Sequence, residues 1–165
     1  MVFTHYCTRK EKETSWWVGS WVGDEDGRGY DGYWKSGSMH GSGTYNWPNG
    51  DNYEGNWVKG TRTEYGTLTY SNGDVYKGNW KGDKRNGQGT AIWFLGDEDT
   101  YDTYVGNWTN NLENGTGLYI WSSGASYNGS WKNGKLNGKG TYTFSDGSYF
   151  IGTFANGRFS KGTLL

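Results

Sequence analysis

The chain has 165 residues, of which 32% are apolar and 19% aromatic, with 30 glycines and a single proline. Leu, Ile and Val are too few to fill a two-layer core, so burial has to come from large rings, and the length leaves room for one domain. A formal net charge of −1 supplies no bulk field for nucleic acid, which is not expected as a partner, and any pull on anions must come from local arrangement.

Residues 1–15 lie outside the pattern that organises the rest and are expected to form an N-terminal cap. Phe3, His5 and Cys7 alternate with Val2, Thr4 and Tyr6 as in a short edge strand, which the charged run Arg9 to Glu13 would end. Charge rather than an apolar run follows Met1 to Cys7, so neither a signal peptide nor a membrane span is expected. The lone Cys7 cannot close an internal disulfide, which fits a reducing, cytoplasmic location.

From residue 16 onward one phrase recurs: WVGSW from Trp17, YDGYW from Tyr30, YEGNW from Tyr53, YKGNW from Tyr76, YVGNW from Tyr104, YNGSW from Tyr127 and FIGTF from Phe150. Successive starts differ by 13, 23, 23, 28, 23 and 23 residues, and a fixed period in the twenties is the signature of a repeat array. Within a phrase, Tyr53, Gly55 and Trp57 share a parity, so pleating puts them on one face, with Glu54 and Asn56 on the other. Ten or eleven residues after each start comes a second strand: GSGTYNW from Gly41, EYGTLTY from Glu64, GQGTAIW from Gly87, GTGLYIW from Gly115 and GKGTYTF from Gly138. Rings and glycines again fall on one face.

Glycine inside a strand costs about 0.5–1 kcal/mol relative to alanine, so its regular use there needs a structural reason. The reason expected is space: a ring can lie flat over backbone that has no Cβ, and stacked rings then form the core of a single-layer sheet. Asn-Gly or Asp-Gly in WPNGD, YSNGD and FSDGS reads as tight hairpin turns, and VKGTRTE and WKNGKLNG read as longer, basic ones. The first unit lacks about ten residues, so WVGSW should pair directly with YDGYW across the acidic turn at Gly23. Five extra residues fall at LGDEDTYD from Leu95, where insertion should lengthen a loop and spare the ladder.

Phrase, period and partner strand together resemble the MORN repeat (membrane occupation and recognition nexus), over residues 16–165. The resemblance implies an all-β fold, an elongated single-layer antiparallel meander of β-hairpins with about seven units. It departs at Trp17 and Phe150, which replace the leading Tyr, and at Glu64, which replaces the first Gly of its pair. Members of the family resemble scaffolds and adaptors at cytoskeletal, ciliary or membrane-associated sites. A non-enzymatic role with no cofactor follows from the resemblance, and protein partners are the expected ligands.

Three surfaces stand out for such partners. The aromatic ladder, Tyr53, Trp57, Tyr76, Trp80, Tyr104, Trp108, Tyr127 and Trp131, reads as packing and, wherever uncovered, as a groove for a peptide, a helix or, third, a sugar ring. Ile92, Val105, Leu118 and Ile120 have the parity of Thr and Asn elsewhere and sit on three successive strands, forming an apolar patch opposite the ladder. Charge is sorted by turn type: Lys59, Arg62, Lys81, Lys84, Arg85, Lys132 and Lys135 lie at one set of turns, and Asp51, Asp74, Asp97, Glu98, Asp99, Asp102 and Asp146 at the other. The basic edge would suit anionic phospholipid, phosphoinositides above all, although Lys, Asn and Asp are also ordinary turn residues.

Other chemistry is weakly supported. The acidic turns at Gly23 and Gly96 lack the alternating spacing and closing Glu of a calcium loop, so no metal is expected. No glycine-framed serine sits on a strand-to-helix turn, and no helix follows Gly87-Gln88-Gly89. Terminal strands could pair with a second copy and give a homo-oligomer.

Overall fold

The computed structural model describes residues 16–22, 27–96 and 100–165. The expected N-terminal cap, most of the turn from Gly23, and Asp97, Glu98 and Asp99 lie outside them. The chain divides into two compact units, Met1–Asp83 and Lys84–Leu165. The first holds β1 (Trp16–Val22), β2 (Gly29–Lys35), β3 (Ser38–Asn46), β4 (Asn52–Val58), β5 (Thr61–Thr69) and β6 (Val75–Lys81). The second holds β7 (Lys84–Phe94), β8 (Tyr101–Thr109), β9 (Leu112–Ile120), β10 (Ser126–Lys132), β11 (Lys135–Thr143), β12 (Tyr149–Ala155) and β13 (Arg158–Leu164).

Within each unit consecutive strands pair antiparallel, giving the all-β hairpin meander expected from the repeat. β1 pairs directly with β2, Trp17 opposite Trp34 and Trp21 opposite Tyr30.

The register aligns glycine with glycine. Gly32, Gly43, Gly55, Gly66 and Gly78 face one another across the first unit, and Gly89, Gly106, Gly117 and Gly129 do so in the second. Tyr30, Tyr53, Tyr104 and Tyr127 each lie over the glycine two residues on and over that glycine's cross-strand partner. A Cβ added to Gly66 would meet only the Tyr53 ring among its nearest atoms, whereas one added to Gly55 would meet the Tyr53 hydroxyl at 2.5 Å and the Gly66 Cα at 2.6 Å. The phenol then donates to the carbonyl three residues ahead: Tyr30 to Tyr33 at 3.0 Å, Tyr76 to Asn79 at 3.0 Å, Tyr104 to Asn107 at 3.0 Å and Tyr127 to Ser130 at 3.0 Å.

The phrase tryptophan closes the other end. Its indole N–H donates to a glycine carbonyl on the preceding strand, Trp57 to Gly43 at 3.0 Å and Trp131 to Gly117 at 3.1 Å, so the polar atom of a buried ring is satisfied. Tyr53 and Tyr104 each sit edge-on between two phrase tryptophans: Tyr53 between Trp57 and Trp80 at 5.0 and 5.5 Å, and Tyr104 between Trp108 and Trp131 at 5.1 and 5.2 Å. Edge-to-face pairs of this kind add about 0.5–1.5 kcal/mol each beyond area burial. Phe150 has no hydroxyl and rests instead on Phe154 and Phe159.

The two turn classes are the reverse of the sequence expectation. The basic turns are the tight ones: Lys59-Gly60, Asn133-Gly134 and Asn156-Gly157 each have both central residues at positive φ, the mirror-image turn that matches strand twist. The Asn-Gly and Asp-Gly segments of WPNGD, YSNGD and FSDGS span five residues between strands. In the first, the Gly50 N–H donates to the Trp47 carbonyl and the Trp47 N–H to the Asp51 carbonyl, with Gly50 but not Asn49 at positive φ. Asn-Gly therefore occupies the last two positions of an ordinary type I turn, and Pro48 takes the position that favours proline.

The extra residues near Leu95 also behave differently from the expectation. They lengthen the ladder as well as the loop, because Trp93 pairs with Asp102 and Phe94 with Tyr101.

Replacing Gly55 with Ala is expected to lower stability by about 2–3 kcal/mol in chemical denaturation, because the clash includes backbone that cannot turn aside. Glu64 occupies a bulge position at φ 53°, where the other units have glycines such as Gly41 and Gly87. Glu64→Gly should accordingly raise stability by about 1 kcal/mol, and an unchanged midpoint would contradict the strain.

Candidate functional site

The eight ladder residues do not form an open groove. Tyr53, Tyr76, Tyr104 and Tyr127 are at most 1% exposed and Trp57, Trp80, Trp108 and Trp131 at most 7%, because each lies under its neighbours' rings and against the glycine row. They are the core. The half-buried rings of that face come from the second strands: Tyr45 and Trp47 in the first unit, and Trp93, Tyr119, Trp121, Tyr142 and Phe144 in the second. Trp93 stacks on Tyr119 at 5.6 Å with 17° between planes, Tyr119 leans on Trp121 at 4.6 Å, and Trp121 meets Tyr142 at 5.3 Å.

The opposite face of the second unit carries the apolar patch. Val105 lies directly across from Leu118, and Ile92 and Ile120 flank Thr103. Two further residues belong to it, Phe94 and Tyr101, which are register partners with the parity of Ile92 and Val105. Their parity was readable from the sequence, but assigning the segment to a loop hid it. Phe94, Tyr101, Val105 and Ile120 are 43–47% exposed.

The tight-turn rim is less freely charged than its composition implies. Arg62 donates from Nε to Asp83 Oδ1 at 2.9 Å and lies 4.5 Å from the centroid of Trp80. Arg85 lies 4.3 Å from that of Trp108 and donates to the Asn111 carbonyl at 3.0 Å. Both guanidiniums are thus built into the fold as cation–π caps over core tryptophans, which removes them from the expected docking edge. Lys59, Lys81, Lys84, Lys132 and Lys135 are exposed.

On the loop rim two carboxylates tie successive loops together and two more brace their own loops. Asp51 accepts from the Ser71 N–H at 2.9 Å, and Asp102 accepts from the Ser122 N–H and the Tyr119 hydroxyl at 2.8 Å each. Asp146 accepts from the Ser148 hydroxyl and N–H, which holds its carboxyl below the usual range. Asp74 accepts from the Asn72 side chain at 3.0 Å.

Burial pushes the core phenols upward: those of Tyr30 and Tyr53 rise from 10.0 to about 12, and those of Tyr104 and Tyr127 rise as well. Tyr119 is raised first by burial and then by its bond to the Asp102 carboxylate.

The family model for the MORN repeat matches residues 30–52, 53–75, 76–94, 104–126 and 127–149, about two thirds of the chain. This chain belongs to the MORN-repeat family. The matched starts coincide with the recurring Tyr of the phrase, and the two phrases outside the matches, from Trp17 and Phe150, are the ones that lack it. No curated protein matches the chain. MORN repeats are a non-catalytic repeat type associated in general with membrane or protein-interaction scaffolds. Among the described residues, no three His, Cys, Asp or Glu side chains come together as a metal site, and no helix is long and apolar enough to cross a membrane.

The raised phenols set an alkaline limit on this MORN array. Folding favours the neutral form, so their contribution is complete below pH 10 and is lost as pH climbs from 10 toward about 12. Tyrosinate absorbance of the buried phenols should therefore appear together with loss of the sheet's circular dichroism. Titration of all the phenols while the sheet persists would contradict the burial.

Proposed function

We propose that the chain is a non-catalytic scaffold that holds a protein partner on the apolar face of its second unit, as a structural component of a larger cytoskeletal, ciliary or membrane-associated assembly. One observation carries this reading. Ile92, Phe94, Tyr101, Val105, Leu118 and Ile120 lie on three adjacent strands, on the side away from the core, where the equivalent positions of the first unit hold Thr44, Glu54, Thr67 and Lys77.

The ring-and-glycine core does not require them, and a contiguous exposed apolar set marks a contact surface on a soluble protein. A sheet face is already ordered, so docking there costs little side-chain entropy beyond that of the partner. The half-buried rings around Trp93 and Tyr119 supply a second apolar surface on the other side of the same strands. Aromatic anchors of this type often dominate interfaces.

A second reading, docking on anionic phospholipid through the tight-turn rim, is favoured by the register pairing of exposed Lys132 with Lys135 beside Asn133-Gly134. Surface potentials attract such cations by about 1 kcal/mol each near an anionic leaflet.

Two variant sets separate the readings. Val105→Asp and Leu118→Asp should leave the denaturation midpoint within about 0.5 kcal/mol of wild type and lose the co-purifying protein. Lys132→Glu with Lys135→Glu should retain it. Loss of phosphoinositide-liposome flotation in the charge variant, with partner capture unchanged in the aspartate variants, would reverse the assignment, and global unfolding of Leu118→Asp would place that side chain in the core.

A further inference from the structure

The same face of the first unit departs from the repeat in a different way. Two positions that other units fill with small or polar residues, such as Asn56 and Asn107 in the phrase and Ser42 and Gln88 in the second strand, carry Tyr33 and Tyr65 here. Both rings stand outside the core, 44% and 51% exposed. Tyr33 is anchored at its base beside the Gly41 bulge, where an added Cβ would come within 3.2 Å of the Tyr33 Cβ.

Facing these rings across the sheet is a row of register partners, Thr44, Glu54, Thr67 and Lys77, with Asp31 at its head. Between the two rows runs the backbone of the glycine ladder. Its far side is sealed by Tyr30 and Tyr53, so the floor is stiff. The whole forms an open trough of about 630 Å³ lying across the strands.

We propose that this trough binds a neutral, extended oligosaccharide with its long axis across the strands. Exposed planar rings present flat apolar faces to the C–H face of a pyranose. The opposite wall offers hydroxyl, carboxylate and ammonium groups that donate to or accept from sugar hydroxyls. Strands lie about 4.8 Å apart, close to the rise per residue of an extended β-linked glycan, so successive strands bring one wall group to each sugar.

The same chemistry disfavours other occupants. The wall has no aliphatic stripe for an amphipathic helix, Asp31 and Glu54 outnumber the single ammonium of Lys77 and so disfavour phosphate, and the floor is mid-ladder backbone already paired, so no strand can be added. This assignment concerns the first unit and stands independently of a protein partner on the second.

Amide chemical shifts of the full chain, titrated with cellotetraose, chitotetraose and mannotetraose, test it. At least one should bind with millimolar or better affinity and move amides of residues 31–77. Tyr33→Asn and Tyr65→Thr install residue types used in sister units, so folding is retained, and each should weaken binding about tenfold, while Leu118→Asp leaves it unchanged. Silence with all three sugars, or shifts centred on Trp93 and Tyr119 instead, would overturn the proposal. So would undiminished binding in both tyrosine variants.

Discussion

A phenol ring laid over two glycines is the contact on which the rest of this structure depends. Tyr53 covers Gly55 on its own strand and Gly66 on the next, and Tyr104 and Tyr127 repeat the arrangement. A single-layer sheet has no second layer to bury against, and an isolated hairpin is marginal in water. Folding the ring down along its own strand solves that problem. The apolar surface is covered by the strands that display it, and the hydroxyl returns to a carbonyl three residues ahead rather than being buried unpaired. Glycine's conformational cost is offset by aromatic burial that any Cβ would prevent.

This arrangement divides the two faces by task. The ring face is largely committed to packing: its phrase rings from Tyr53 to Trp131 are sealed, and two rim arginines cap indoles. The opposite face has no part in that packing and is free to vary between units. In the second unit it is apolar around Val105 and Leu118, and in the first it carries Tyr33, Tyr65 and a polar wall. The exposed chemistry of a MORN array can thus change from unit to unit without disturbing the core, as in other repeat architectures, where each repeat answers to its neighbours for stability.

Much of this was legible in the residues. The Tyr-Gly-Trp parity gave the face, the spacing gave the meander, and the phrase starts agree with the repeat boundaries. The turns were not, because Asn-Gly serves both a two-residue mirror turn and the end of a type I turn, and only φ at the asparagine separates them: Asn133 has φ 51°, while Asn49 does not enter that region. Nor was the depth of the ladder legible. Periodicity says which way Trp57 points, but whether Trp80 and Arg62 cover its neighbour Tyr53 depends on three-dimensional packing. The roles of Arg62 and Arg85 were hidden for the same reason, since charge at a turn reads as solvent-exposed until a ring is found beneath it.

The most direct measurement is a double-mutant cycle on Tyr53 and Gly66, read by chemical denaturation. The three atoms nearest a Cβ at Gly66 would all belong to Tyr53, so Gly66→Ala should be costly in the wild-type background and distinctly less so once Tyr53 is shortened to Leu, leaving a coupling of at least about 1 kcal/mol. Strictly additive effects would mean that ring and glycine act separately, and the sheet would need some other source of cohesion.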